Sequence, residues 1–165
     1  MQIFIYVKQI FVLLIWAVPL ASAGGSSVDA PSSAEIVTVR PPTETMTRQG
    51  LPSFVGISEN TAGSTAISMN LVRIPPGGAA KPHIHRGYES AIYLLSGRVE
   101  TRYGDGLRKS VTNRAGDFIF IPANVPHQPR NLSETEPALA IVARSDPNEQ
   151  ENVIPYHSAR PNSGP

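Results

Sequence analysis

The chain has 165 residues, a formal net charge of +1 and no cysteine. The missing cysteine excludes disulfide staples, thiolate metal ligands and cysteine nucleophiles, and a near-neutral balance without a Lys/Arg-rich cluster argues against nucleic acid as a partner. Sixteen prolines and thirteen glycines at short intervals favour many turns over long helices.

Residues 1–23 read as a secretory signal peptide. Lys8 supplies the positive start, residues 10–18 an apolar run, and Ala21-Ser22-Ala23 a small-x-small cleavage pattern. Cleavage is expected after Ala23, giving a secreted or periplasmic protein without a stable membrane anchor. A spanning helix needs about 20 apolar residues, and Lys8-Gln9 breaks the run before that length. No twin arginine precedes the run, so export of the unfolded chain is expected, with metal acquired afterwards. Residues 24–50 form a linker and N-terminal arm. It is rich in Ser, Ala and Gly up to position 35, and Ile36-Val37-Thr38-Val39 is a short edge strand closed by Pro41-Pro42.

Across residues 51–144, short strand-like runs alternate with turns. The runs are 54–58, 66–74, 90–95, 98–103, 107–112, 117–121 and 138–144; between them lie Pro75-Pro76-Gly77-Gly78, Ser96-Gly97, Gly104-Asp105-Gly106 and Ala115-Gly116. None keeps a helical apolar period. The pattern predicts one all-β domain, a sandwich or small barrel with room for a single ligand in its mouth. Residues 145–165 are polar and proline-rich and are expected as an exposed tail carrying His157.

The chemistry concentrates in His83-Ile84-His85. Three of the four histidines are His83, His85 and His127. Residues i and i+2 of a strand share a face, so His83 and His85 can aim both imidazoles at one point, and His127 can arrive from a second strand. Glu89 adds a hard oxygen nearby. Such a mixed nitrogen and oxygen set suits one divalent metal ion: iron, manganese, copper, zinc or nickel.

Two segments then resemble the paired motifs of the cupin superfamily. The first runs through Gly77, His83, His85, Glu89 and Gly97; the second through Gly116, Pro122, Asn124, His127 and Asn131. Asn124 stands where the motif usually has Gly, a mild change because both tolerate φ > 0. Glu89 comes one residue earlier than in many cupins, although the interval from His85 to Gly97 is unchanged. The resemblance implies a double-stranded β-helix, the cupin jelly-roll barrel, over residues 51–144. It also implies a metal site of His83, His85, Glu89 and His127. Asn131-Leu132-Ser133 is a glycosylation sequon, but the resemblance puts Asn131 on a barrel strand, where it should stay unmodified.

Glu89 decides the orientation of the strand that follows. If it bends inward, with Gly87 giving the freedom, Ala91, Tyr93 and Leu95 also face the pocket. Ser90, Ile92 and Leu94 then form an outer stripe that a partner subunit, making a homodimer, or the N-terminal arm would have to cover. If Glu89 turns outward, the faces swap and the site is three-histidine. Ligation is the expected outcome, with Glu89 and Tyr93 as catalytic candidates and Glu100 as another titratable group. Arg73 and Arg102 either bind an anionic substrate or sit on the solvated face.

The resemblance implies a metal-dependent enzyme on a small molecule, of oxygenase or isomerase type, or else a decarboxylase. The alternative is a non-enzymatic module that binds a small molecule or the metal itself. Metal-free nucleophilic hydrolysis finds no GxSxG elbow here.

Overall fold

The computed structural model describes residues 35–40 and 43–157, all within one compact unit, Ser33–Pro165. The expected signal peptide and its cleavage point lie outside the described residues. Eleven strands are described: β1 (Thr45–Met46), β2 (Pro52–Ile57), β3 (Ser68–Ile74), β4 (His83–His85), β5 (Ser90–Ser96), β6 (Arg98–Tyr103), β7 (Lys109–Arg114), β8 (Phe118–Ile121), β9 (His127–Asn131), β10 (Ala138–Arg144) and β11 (Val153–Pro155). One four-residue helix, α1 (Glu59–Ala62), is capped by the Ser58 side chain. Among the described residues no helix is long and apolar enough to cross a membrane.

The strands form two antiparallel sheets. One has the order β1-β2-β3-β10-β5-β8, the other β11-β4-β9-β6-β7. Alternation sets what each contributes. On β10, Ala138, Ala140, Val142 and Arg144 are buried while Leu139, Ile141 and Ala143 lie on the other face. Their inward partners are Val72 and Ile74 on β3 and Leu94 on β5, and together with Leu51 and Val99 they make the core. The all-β jelly-roll expectation therefore holds.

Several turn residues match their predicted chemistry. Asn124, in the Gly position of the second motif, takes φ 64°. Its backbone N–H donates to the His85 carbonyl (2.8 Å) and its Oδ1 accepts from the Gly87 N–H (3.0 Å), tying the loop before β9 to the end of β4. Asn131 is fully buried. Its amide nitrogen donates to the carbonyls of Ile74, Pro75 and Glu136 at 3.2, 3.2 and 2.7 Å. An amide so engaged has a structural task.

Two boundaries differ from expectation. Ile36-Val37-Thr38-Val39 is not a strand, and Ile36 is 99% exposed; the edge position is taken by the two residues of β1 instead. The barrel also does not stop at Arg144. β11 lies in the segment expected to be a tail and pairs with the histidine strand, Val153 opposite His85 and Pro155 opposite His83. His157 is exposed, as expected.

Candidate metal centre

His83 and His85 stand on the buried face of β4 and His127 on β9, directly opposite His83 in the ladder. All three are buried. One ring nitrogen from each lies within 4.8 Å of the other two.

The remaining nitrogens are occupied. His83 Nδ1 lies 2.8 Å from the Lys81 carbonyl, and His127 Nδ1 lies 2.9 Å from the Val125 carbonyl. A carbonyl can only accept, so each Nδ1 carries the proton and each Nε2 keeps its lone pair. His85 Nδ1 is 2.9 Å from the Ser90 hydroxyl, and its Nε2 is buried without a hydrogen-bond partner. The Tyr88 ring stacks on His85 at 4.8 Å and 12° and fixes its plane.

Electrostatics keep the rings neutral. Burial pushes His83 down to about 3 and His85 down to about 2, with the neighbouring His127 and the Arg144 charge adding to the effect. His127 is lowered too, chiefly by burial. Neutral imidazoles held by hydrogen bonds at the far nitrogen, with a buried orphan acceptor among them, fit a divalent metal.

The fourth expected ligand is not among them. Glu89 is exposed and takes no part in the cluster of ligand atoms. Its backbone is tied on both sides to Ser145: Glu89 N–H donates to Ser145 Oγ (3.0 Å), and Ser145 N–H donates to the Glu89 carbonyl (3.2 Å). That lock continues the β5–β10 register, in which Ser90 faces Arg144. Ser90, fully buried, takes the inward place, and Glu89 turns out by the one-residue rule. Tyr93 follows it to the outer face, 36% exposed, with its ring 4.7 Å from that of Phe118. Glu100 lies on the outer face of β6, between the inward Val99 and Thr101, 3.7 Å from Arg102. Neither Glu89 nor Tyr93 is among the residues that line the cavity beside the histidines.

The histidines line a cavity of about 70 Å³, walled by Ile92, Leu94, Ile119 and Ile121. A water needs about 10–15 Å³ by this measure, so the space suits one compact ligand. Its polar lining includes Gln49, Thr101 and Arg144. Gln49 comes from the expected N-terminal arm, is buried, and has an Oε1 without a hydrogen-bond partner. Arg144 is only 5% exposed. The parity that makes Ala138, Ala140 and Val142 core also points Arg144 inward, which the strand pattern could have shown. Arg73 instead forms an ion pair with Glu44 at 2.6 Å, and Arg102 is exposed; neither lines this cavity.

Residues 70–144 match the family described as Cupin domain. A probable oxalate decarboxylase of Arthroderma benhamiae is 37% identical over 81 residues, which span 48% of this chain and 20% of that protein. An oxalate decarboxylase of Lactobacillus farciminis, solved as its formate complex, superposes with a TM-score of 0.59 at 22% identity, over 68% of this chain and 33% of its own. The Bacillus subtilis oxalate decarboxylase studied for its Mn(II) centres gives a TM-score of 0.55 at 23% identity, over 66% of this chain and 28% of its own. The chain thus spans a third or less of the length of these relatives.

Proposed function

Because residues 70–144 of this chain are a cupin domain, we propose that it is an exported metal-dependent enzyme acting on a small carboxylate, by decarboxylation or oxygenation. The observation that carries this reading is the set of three buried, neutral histidines whose far nitrogens are held by Lys81, Val125 and Ser90. A bound divalent metal would supply Lewis acidity and open positions for the substrate. His83, His85 and His127 would hold it. Arg144 offers a charged fork to a carboxylate, Gln49 offers an amide, and the isoleucine and leucine walls keep bulk water out. The relatives named for oxalate decarboxylation support the substrate class. Three imidazoles without a carboxylate make a nitrogen-rich site. After unfolded export by the expected signal peptide, raw affinity at such a site favours copper or zinc, whereas the Bacillus relative is described with Mn(II).

A second reading draws on the same geometry. Glu89, Tyr93 and Glu100 all lie outside the cavity, and among the described residues its lining holds no carboxylate. A site without an acid or base of its own suits a binder of the metal or of a small anion. Element analysis of the native protein comes first, followed by carbon dioxide release and oxygen uptake with a panel of short mono- and dicarboxylates. Turnover by the metal-loaded protein supports the enzyme. Tight carboxylate binding by calorimetry without turnover supports the binder. Protein that holds no metal in its native compartment overturns both metal-based readings.

A further inference from the structure

Ser68 opens β3 with its side chain buried, 1% exposed, and its hydroxyl has no hydrogen-bond partner. A buried polar group left alone is costly, so such a hydroxyl marks a place where something else can bind. It lines a second cavity, of about 250 Å³, which shares no lining residue with the histidine cavity. The rest of the polar lining comes from three places: Asn70 further along β3, Ser58 and Asn60 at the start of α1, and Asn148 and Gln150 beyond β10. Each of these side chains is a hydroxyl or a carboxamide, and no charged residue lines the cavity. The groups are held in place. Gly56 N–H donates to Asn70 Oδ1 (3.3 Å) and Arg48 N–H to Gln150 Oε1 (2.8 Å), which fixes the orientation of both amides. The Asn148 side-chain nitrogen donates to the Glu59 carboxylate, and Glu59 N–H donates to the Pro147 carbonyl (3.2 Å). These bonds tie the helical rim to the rim beyond β10.

We propose that this cavity binds a small neutral polyhydroxylated molecule, a monosaccharide or a polyol. A hydroxyl on a ligand both donates and accepts, and a lining that mixes hydroxyls with carboxamides offers both kinds of partner. Ser68 then gains the hydrogen bond it lacks. A carboxylate, phosphate or ammonium would give up its water here without meeting an opposite charge. The histidine cavity differs on this point, because Arg144 supplies a charge there. Volume sets the size of the ligand. A water takes about 30 Å³ in the liquid, so the space equals about eight waters, and it falls just below the roughly 300–1,000 Å³ of sites for drug-sized molecules. That suits a single sugar ring. Val55 and Pro147 line the same cavity and give apolar surface to the C–H face of such a ring. Preset amides lose little freedom on binding.

Ser68 faces Arg144 across the β3–β10 ladder, so the second cavity stands beside the metal centre. The assignment rests on neither the metal nor the reaction. Its test is calorimetry, with saturation-transfer NMR as a second readout, of the full chain, metal-loaded and chelator-treated. The probes are glucose, galactose, mannose, xylose and glycerol. At least one should bind with a dissociation constant of about 1 mM or tighter, equally with and without metal. Gluconate and glucosamine, charged relatives of glucose, should bind at least about 10-fold more weakly than glucose. Ser68→Ala should weaken binding about 10-fold, while its urea midpoint stays level or rises because the orphaned hydroxyl is gone. Asn60→Ala, at an exposed position, should weaken binding without touching the interior. The absence of binding by all five probes overturns the proposal. So does binding that survives both substitutions, or gluconate binding as tightly as glucose. Binding that disappears with the metal also overturns it, because the sugar would then sit among the histidines.

Discussion

The Ser90 hydroxyl lies 2.9 Å from His85 Nδ1, in the inward place that the first motif leads one to give to a carboxylate. The pair predicts opposite outcomes for neighbouring residues. Ser90→Ala removes the group that orients His85 and should weaken metal binding about 10–100-fold, the usual effect of losing an outer partner of a ligand. Glu89→Gln, on the other face, should leave affinity and metal content as they are. Competition with a fluorescent chelator measures both. A large loss in Glu89→Gln would restore that residue to the metal.

The histidine cluster makes the metal-free protein acid-sensitive. His83 and His85 have native values near 3 and 2 against about 6.5 in the unfolded chain, so between those limits the unfolded state binds more protons. Stability is therefore fully present above about pH 6.5 and falls as the pH drops towards 3, by up to about 1.4 kcal/mol per pH unit for each such histidine. Urea midpoints of chelator-treated protein at pH 7, 6 and 5 should decrease in that order. Saturating metal should hold the midpoint nearly level over the upper part of this range, because protons must displace it first. Midpoints of the metal-free protein that stay constant would contradict the buried, neutral assignment.

Arg144 separates substrate binding from metal binding. Arg144→Gln should keep the three histidines loaded but raise KM, or Kd, for a small carboxylate about 10–100-fold, the scale of one charge-assisted hydrogen bond at 1.5–3 kcal/mol. A neutral ligand of the same size should lose little. Equal losses for both would make Arg144 a packing residue.

Gly97 should not tolerate a side chain. It sits at φ 91°, and an added Cβ would meet Ala138 Cβ at 2.7 Å and its Cα at 2.9 Å. Gly97→Ala combines overpacking with a disfavoured backbone angle, so a loss of about 2–4 kcal/mol is expected. Gly63 also has positive φ but nothing within 4 Å; Gly63→Ala should lose about 1–2 kcal/mol from the backbone alone. Equal chemical-denaturation midpoints for the two variants would remove the steric part of the argument.

What could be read in the sequence was whatever local geometry decides. The period of two put His83 and His85 on one face, and the glycine-like tolerance of asparagine anticipated the left-handed Asn124. The strand Arg98–Tyr103 has the expected limits. What could not be read depends on pairing between distant segments. The side taken by Glu89 follows from Ser145, fifty-six residues later, locking its backbone. Gln49 reaches the cavity from a stretch with no strand period. β11 is three residues with no alternation of their own, and it exists because the edge of β4 offers it hydrogen bonds. Arg144 was legible from the alternation of its own strand, although charge alone would have sent it to the surface.

That last strand also sets a timetable. β4 meets β9 at a single register pair, His83 with His127, and meets β11 at three. Most of the ladder that holds His83 and His85 is therefore supplied by residues made seventy positions after them. A chain folded only as far as Arg144 would already own all three candidate ligands yet lack the strand that steadies two of them. The ladder around the two histidines of β4 is therefore complete only once residues 153–155 are in place, well after all three histidines.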